Sequence, residues 1–320
     1  MTPDLSIIIV NWNTRDLLEN CLRSIDRSRG THAIQTIVVD NNSADGSREM
    51  VGKNFPEVLL MNSGGNVGFA RANNVGLPRA TSSLILFLNP DTEVSQSGVE
   101  KMIAFMKAER SVGALGCKIR NSCGTIQQLG IQRFPSPAGE LMKMICVSEK
   151  TQPRLGGLFP YHDPEKSGEV KKLFGACLLV RRAVLDQVGS FDERFFMYCE
   201  DVDLCHRITE AGWRLYYLSD AEILHLGGSA SSSVPGRFAV LMMCESFSKF
   251  MRKHHGWFGA LMYRCATLLG AVFRLAVLLA MALVKLVRNK GSLTALRPSI
   301  NKYMVMWQWA LGLRRPVIRH

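Results

Sequence analysis

The feature that most constrains this chain is a series of short, mainly apolar stretches, each ended by a polar cluster. Residues 5–10 are continuous and β-rich. Residues 35–39 end at Asp40, residues 58–61 form a third stretch, and residues 84–88 end at Asn89-Pro90-Asp91. Apolar runs of this length without period-two alternation are strands buried on both faces, as in a parallel sheet covered by helices. Helical patterns lie between them. Asn13 or Thr14 can cap a helix over 15–26, with Leu17, Leu18, Cys21, Leu22 and Ile25 on one face. Residues 43–47 form a turn into a short helix, and 69–80 read as another helix. This alternation predicts an α/β fold with a mainly parallel sheet flanked by helices. Ligands bind such sheets at the carboxyl ends of the strands. Asn11, Asn13, Asp40, Asn42, Asn89 and Asp91 all fall there.

The charge divides the chain. It has 39 Lys and Arg against 27 Asp and Glu. Residues 231–320 hold 14 of those basic residues and a single acid, Glu245, so residues 1–230 are near neutral. This predicts a catalytic unit over 1–230 and a helical, basic appendage over 231–320. The tail interleaves its cations with long apolar runs, which suits an anionic membrane surface better than nucleic acid. It also lacks the basic aromatic sheet or recognition helix of a nucleic-acid binder. The nine cysteines show no CxxC pair and no zinc-type spacing, and they read as reduced thiols of a cytoplasmic protein. The strand pattern starts within a few residues of Met1, so no signal peptide is expected.

Four polar clusters carry candidate chemistry. In Val38 to Ser47, Asp40 at a strand end could accept the imide N–H of a pyrimidine, although such a residue also serves turns. In Asn66 to Gly76, Gly68 allows close backbone approach, a helix N-terminus can face an anion, and Arg71 and Asn73 fall near that end. In Phe87 to Thr92, Asn89 and Asp91 stand at the sheet edge, where hard oxygen ligands suit Mg2+ or Mn2+ on a diphosphate. In Phe195 to Arg207, Glu200, Asp201 and Asp203 lie between aromatics and a helix. Glu200 and Asp201 are the candidate general bases. A helix start favours one or two acids by its dipole, which leaves the aromatic setting unexplained. His225, after an apolar strand, reads by itself more readily as a core histidine than as a ligand.

Taken together and in order, Ser6 to Asn13, Val39 to Ser43, Asn66 to Asn73, Leu88 to Thr92, Gly175 to Val180, Glu200 to Asp203 and His225 to Ser229 resemble the inverting glycosyltransferases of family 2 with a GT-A fold. Within that family the resemblance is to the rhamnosyltransferase-like bacterial branch. It implies nucleotide contacts at Asn11, Asp40, Asn42, Asn66, Gly68, Arg71, Asn73 and Asn89. Asp91 would be the main metal ligand, with Asn89 in place of the first carboxylate of the family's Asp-x-Asp element, and His225 a second ligand. Asp201 would be the catalytic base beside Glu200, with Gly175 and Asp203 on the acceptor side. The implied reaction is a single displacement in which a hydroxyl acceptor, glycan or lipid-linked, takes a sugar from a dTDP- or UDP-sugar with Mg2+ or Mn2+ bound.

Residues 257–287 are apolar with sparse cations. The uninterrupted part, 275–284, is too short to span a bilayer, and a longer span places Arg274 near its middle. Helices lying in the interface at the inner face of the cytoplasmic membrane are therefore expected, with Trp257, Trp307 and Trp309 as anchors. A sugar nucleotidylyltransferase would need a Gly-rich basic loop where Asn11-Trp12-Asn13 stands. An inactive nucleotide-sugar-binding or membrane scaffold of the same fold is the remaining alternative. The segment 120–172, rich in Pro and Gly, loses periodicity, and a connection this long is usually functional.

Overall fold

A computed structural model of the protein describes residues 2–127, 134–145, 162–226, 236–287 and 293–317. In chain order the elements are β1 (Leu5–Asn11), α1 (Arg15–Ser28), β2 (Ile34–Asp40), α2 (Ser47–Asn54), β3 (Leu59–Asn62), α3 (Phe69–Gly76), β4 (Leu84–Leu88), β5 (Thr92–Val94), α4 (Gln96–Ala108) and β6 (Val112–Arg120). There follow α5 (Pro137–Ile145), β7 (Gly168–Val170), β8 (Cys177–Arg181), α6 (Arg182–Val188), α7 (Glu200–Glu210), β9 (Arg214–His225), α8 (Gly236–Val287) and α9 (Arg297–Ala310). The strands form one sheet in the order β3-β2-β1-β4-β8-β6-β9-β5, with β7 also on β9.

The apolar runs are explained by the two faces they serve. Along β1, Ile7 and Ile9 enter a core with α1 and α4, while Ile8 and Val10 enter a second core with α3, α6 and α7. Successive side chains alternate across a strand, so a strand covered on both sides must be apolar throughout. β1, β2, β3 and β4 pair in parallel, as expected, and β6 pairs parallel with β9. The pairs β4–β8, β6–β8, β5–β9 and β7–β9 are antiparallel, so the sheet as a whole is mixed. The reason lies at the sheet edge. Ala176 sits beside the end of β4, where its carbonyl accepts the Asn89 N–H at 3.0 Å. The chain enters β8 from that edge rather than through a crossover helix, so β8 runs against β4.

Two local expectations change. Thr14 occupies the N-cap of α1, but its hydroxyl donates to Asn11 Oδ1 at 2.6 Å. The first helical amide, Arg15 N–H, is instead taken by Asp45 Oδ2 at 2.8 Å from the neighbouring loop. The helix expected over 69–80 ends at Gly76, and a 3-10 turn covers Leu77–Arg79 with Pro78 inside it.

The tail is helical. α8 is broken at Gly256, whose φ of 70° lies outside helical space. Before the break, Leu241, Cys244, Phe250 and Met251 pack on Phe195, Cys199 and Val202 around the start of α7. After it, Tyr263 and Ala271 pack on Val305 and Trp309 of α9. Arg274, the cation that interrupts the apolar run, donates to the Lys143 carbonyl on α5 and lies over the Tyr303 ring. Trp257, Phe258, Leu269, Leu279, Leu283 and Leu286 remain exposed. The most apolar stretch of this helix is long enough to cross a bilayer, and only 17% of it is buried. The expected boundary at residue 230, and Gly227 to Ser229 of the last motif, lie outside the described residues.

Candidate active site

Sheet register sets the first part of the site. Asn11 at the end of β1 pairs with Asp40 at the end of β2, and Asp40 with Asn62 on β3. Asn11 is buried, and its amide donates to Ser43 Oγ at 3.0 Å and faces Asp40 Oδ1 at 3.4 Å. Asp40 is 1% exposed, and its Oδ2 accepts the Ser43 N–H at 3.1 Å. Its carboxylate therefore organises the loop over 41–43. Asn42 is the exposed residue of that loop, in a left-handed conformation with φ 68°. Asn41 ties the loop to the next one: its amide donates to Asn66 Oδ1 at 3.0 Å, and its Oδ1 accepts the Val67 N–H at 2.9 Å.

The 66–73 segment departs from expectation. Gly68 has φ 85°, and a Cβ there would stand 2.3 Å from the Phe196 carbonyl oxygen. Phe69 N–H donates to that same oxygen at 2.7 Å. The close approach that requires glycine is thus made by the chain at Phe196, and an anion has no place at that amide. Asn73 is buried and donates to the Phe69 carbonyl at 3.0 Å, inside α3. Arg71 is exposed near Glu193. Asn66 and Arg71 remain open to a ligand, whereas Gly68 and Asn73 serve the fold.

A second group forms where β5 meets β9. Thr92 pairs with His225, and Leu226 N–H donates to the Asp91 carbonyl at 2.9 Å. Thr92 Oγ1 closes the Asn89-Pro90-Asp91 turn on the Asn89 carbonyl at 2.7 Å. Asp91 Oδ1 lies 3.2 Å from His225 Nε2, and both side chains are 7% exposed. The Asn89 amide is 3.4 Å from the same nitrogen. His225 Nδ1 is 3.2 Å from Gln127 Oε1. An amide oxygen can only accept, so Nδ1–H donates to Gln127, which leaves Nε2 facing the buried Asp91 carboxylate. A carboxylate, an imidazole held by an outer hydrogen bond and a neighbouring amide are a donor set that fits a divalent ion. Gln127 escaped the sequence reading because it lies in the aperiodic segment after β6. The turn there, closed by Asn121 N–H to the Thr125 carbonyl, returns Gln127 N–H to the Ile119 carbonyl at 2.9 Å.

The third group sits at the start of α7. Tyr198 and Cys199 are both left-handed, with φ of 66° and 64°. Two consecutive non-glycine residues in that region are strained, and they aim the next two side chains. Asp201 Oδ2 accepts the Gly175 N–H at 3.0 Å, and Oδ1 accepts its neighbour Val202 N–H at 2.7 Å. Gly175 therefore holds Asp201 in place. Glu200 is 7% exposed, and its Oε2 has no hydrogen-bond partner. Burial and the adjacent Asp201 charge push its carboxyl up to about 8, so it is protonated at neutral pH. Asp203 does not face this side. Two residues along a helix turn about 200°, and Asp203 points to α8, fully buried, where Lys253 Nζ at 2.7 Å, His254 Nε2 at 2.9 Å and Arg207 Nε at 2.8 Å hold its oxygens. The expected acceptor role for Asp203 is thereby replaced by an anchoring one. The second and third groups adjoin: Gly175 bonds Asp201, and its neighbour Ala176 bonds Asn89.

Comparison with known proteins gives this constellation its context. The glycosyl transferase family 2 model matches residues 6–189, more than half of the chain. The chain belongs to glycosyl transferase family 2. It is 28% identical over 276 residues to N-acetylglucosaminyl-diphospho-decaprenol L-rhamnosyltransferase of Mycobacterium tuberculosis, covering 81% of this chain and 88% of that one. It is 25% identical to rhamnosyltransferase WbbL of Escherichia coli, over 68% of this chain and 82% of that protein. Among solved structures it is similar to mannosyltransferase PcManGT from Pyrobaculum calidifontis, in complex with GDP-Man and Mn2+. That TM-score is 0.57 at 16% identity, with 98% of this chain and 89% of that one covered. The structural likeness bears out the GT-A fold. This family 2 glycosyltransferase is rhamnosyltransferase-like in sequence, as its motifs indicated.

Proposed function

We propose that this family 2 enzyme is an inverting, metal-dependent transferase. In this reading it moves a hexosyl group, rhamnose in the first instance, from a dTDP- or UDP-sugar to a hydroxyl of a lipid-linked or cell-surface glycan. The observation that carries the reading is the adjacency of Asp201 to the Asp91–His225 pair through residues 175–176 and 89. A proton acceptor and a leaving-group site are needed side by side for one displacement. The names of the relatives, both rhamnosyltransferases and one acting on a polyprenol-linked sugar, support the donor and the acceptor class.

Asp91 and His225 would hold Mg2+ or Mn2+, with Asn89 beside them. The bound ion supplies charge neutralisation for the departing nucleotide diphosphate. The nucleoside would lie along the loops bearing Asn42 and Asn66, with Asn11 and Asp40 holding those loops in register and Arg71 near the same end. Asp201 takes the acceptor proton. Its two oxygens are oriented by the Gly175 and Val202 amides, each of which leaves a lone pair for the hydroxyl. Glu200, protonated beside it, spares Asp201 a neighbouring negative charge and offers an O–H donor to the acceptor. One displacement at the anomeric carbon inverts its configuration.

The exposed apolar face after Gly256 and the basic tail support attachment to the cytoplasmic side of a membrane, which would present a lipid-linked acceptor to Asp201. The decisive experiment offers dTDP-rhamnose and UDP-sugars with Mn2+ to the purified enzyme and a polyprenyl-diphosphate-linked N-acetylglucosamine. The expected result is a disaccharide lipid of inverted anomeric configuration from dTDP-rhamnose. Retention of configuration would overturn the mechanism. Absence of turnover with every donor, while nucleotide binding persists, would favour the scaffold alternative.

A further inference from the structure

Away from the sheet edge, three ligating side chains converge between α7 and α8. His206 and Glu210 are one helical turn apart on α7, with His206 Nδ1 3.1 Å from Glu210 Oε2. His254 of α8 sets its ring against that of His206, with centroids 4.1 Å apart. One ligand atom from each of the three residues lies within 4.8 Å of the other two. A second, independent observation concerns the His206 ring. Its Nδ1 is shielded from solvent, and among the described residues the only polar partner beside it is the Glu210 oxygen, at ion-pair distance but outside good hydrogen-bond geometry. A buried polar atom without a partner costs free energy unless something else satisfies it.

The surroundings have the form of a metal site rather than of a simple ion pair. His254 Nε2 bonds the buried Asp203 carboxylate at 2.9 Å, so Nδ1 is the ring nitrogen left over. A carboxylate on the outer nitrogen of a ligating histidine fixes its tautomer and strengthens the other nitrogen as a donor. Phe134 and Phe250 pack edge-on against His206 and shield it on the protein side. Glu210, 63% exposed, leaves the opposite side open to an ion and a water. Two imidazoles and one carboxylate with a position for water form a tetrahedral set that suits Zn2+ rather than the oxygen-seeking Mg2+.

We propose that His206, Glu210 and His254 form a second divalent-cation site, of zinc type and separate from Asp91 and His225, that staples the apolar tail helix α8 to α7. The helix so fixed carries Glu200 and Asp201 in its first turn. The metal therefore stabilises the register between the membrane-facing helix and the proton acceptor without touching substrate.

The test titrates Co2+ into the chelator-stripped, full-length Asp91→Ala protein, in which the sheet-edge site has lost its carboxylate. One equivalent should bind with the intense visible bands of tetrahedral cobalt, and Zn2+ should displace it while millimolar Mg2+ does not. Adding Glu210→Gln, at an exposed position that leaves the fold intact, should weaken binding by at least about tenfold. His206→Gln should do the same. Absence of tetrahedral bands, or bands of equal affinity in both variants, would overturn the proposal. Since no sugar transfer is read, the outcome is independent of the activity assigned above.

Discussion

Asp91 Oδ1 and His225 Nε2 stand 3.2 Å apart, on residues 134 positions apart in the chain, because β5 and β9 pair Thr92 with His225. The pair is nearly shielded from solvent, and the outer ring nitrogen is held by Gln127. Removing either partner should abolish metal-dependent nucleotide binding. In a thermal-stability assay with dTDP or UDP, Mn2+ should raise Tm in the wild type, since ligand at a hundred times its Kd adds about 2.7 kcal/mol. Asp91→Ala and His225→Ala should show no Mn2+-dependent shift, and EDTA should abolish that of the wild type. Gln127→Ala should keep the shift but require about 10–100 times more metal.

Asp201 is held by two backbone amides and is argued to accept the acceptor proton. Asp201→Asn keeps the volume and loses the basicity. It should lower kcat by about 10²–10⁴ while leaving the Mn2+-dependent nucleotide shift unchanged. A variant with near-normal kcat would move the role of base to another residue.

Glu200 gives a pH signature in stability. Its native carboxyl is pushed up to about 8 from an ordinary value of 4.5, so the folded protein keeps a proton that the unfolded chain gives up. The associated stability is full below about pH 4.5 and is lost as pH rises toward 8, with a slope of at most about 1.4 kcal/mol per pH unit. Glu200→Gln, neutral at every pH, should remove that slope. Urea unfolding of both proteins from pH 5 to 8 measures it, and parallel curves would show that Glu200 is charged in the fold.

Asp203 joins α7 to the tail through Lys253, His254 and Arg207. Removing its charge leaves these cationic or polar groups facing a buried vacancy. Asp203→Ala should cost about 3–5 kcal/mol, measured by chemical unfolding, and should speed proteolysis around α8. If Asp203 faced the acceptor instead, KM for the acceptor would rise with stability unchanged.

The exposed side chains Trp257 and Phe258 should govern membrane attachment. The wild-type chain should float with anionic liposomes at low salt, and Trp257→Glu with Phe258→Glu should remain in the soluble fraction. Equal flotation of both would assign the interaction to other residues of α8 or to α9.

Much of the architecture was legible because burial on both faces of a strand leaves an unambiguous mark. The stretch 84–88 matches β4 residue for residue, and the polar clusters after β1, β2 and β4 fall at the site edge. What escaped the sequence were elements whose apolar run is interrupted. β6 carries Gly113, Gly116 and Lys118, and the turn that delivers Gln127 lies in the aperiodic segment after it. The antiparallel entry of β8 depends on where residues 173–176 cross the sheet edge.

The sequence by itself determined the α/β class, the family, and the residue types available for chemistry, since these follow from local apolar patterning and the order of short motifs. Tertiary structure decided which of those residues work together. Asp91 meets His225 through strand pairing across 134 residues, and Asp201 meets Gly175 through the packing of α7 on the sheet edge. It also turned Asp203 toward α8 and gave Gly68 to Phe196. The spacing of a motif fixes the phase of its residues on a helix, but not which distant element each face meets or which distant backbone fills the space beside a side chain.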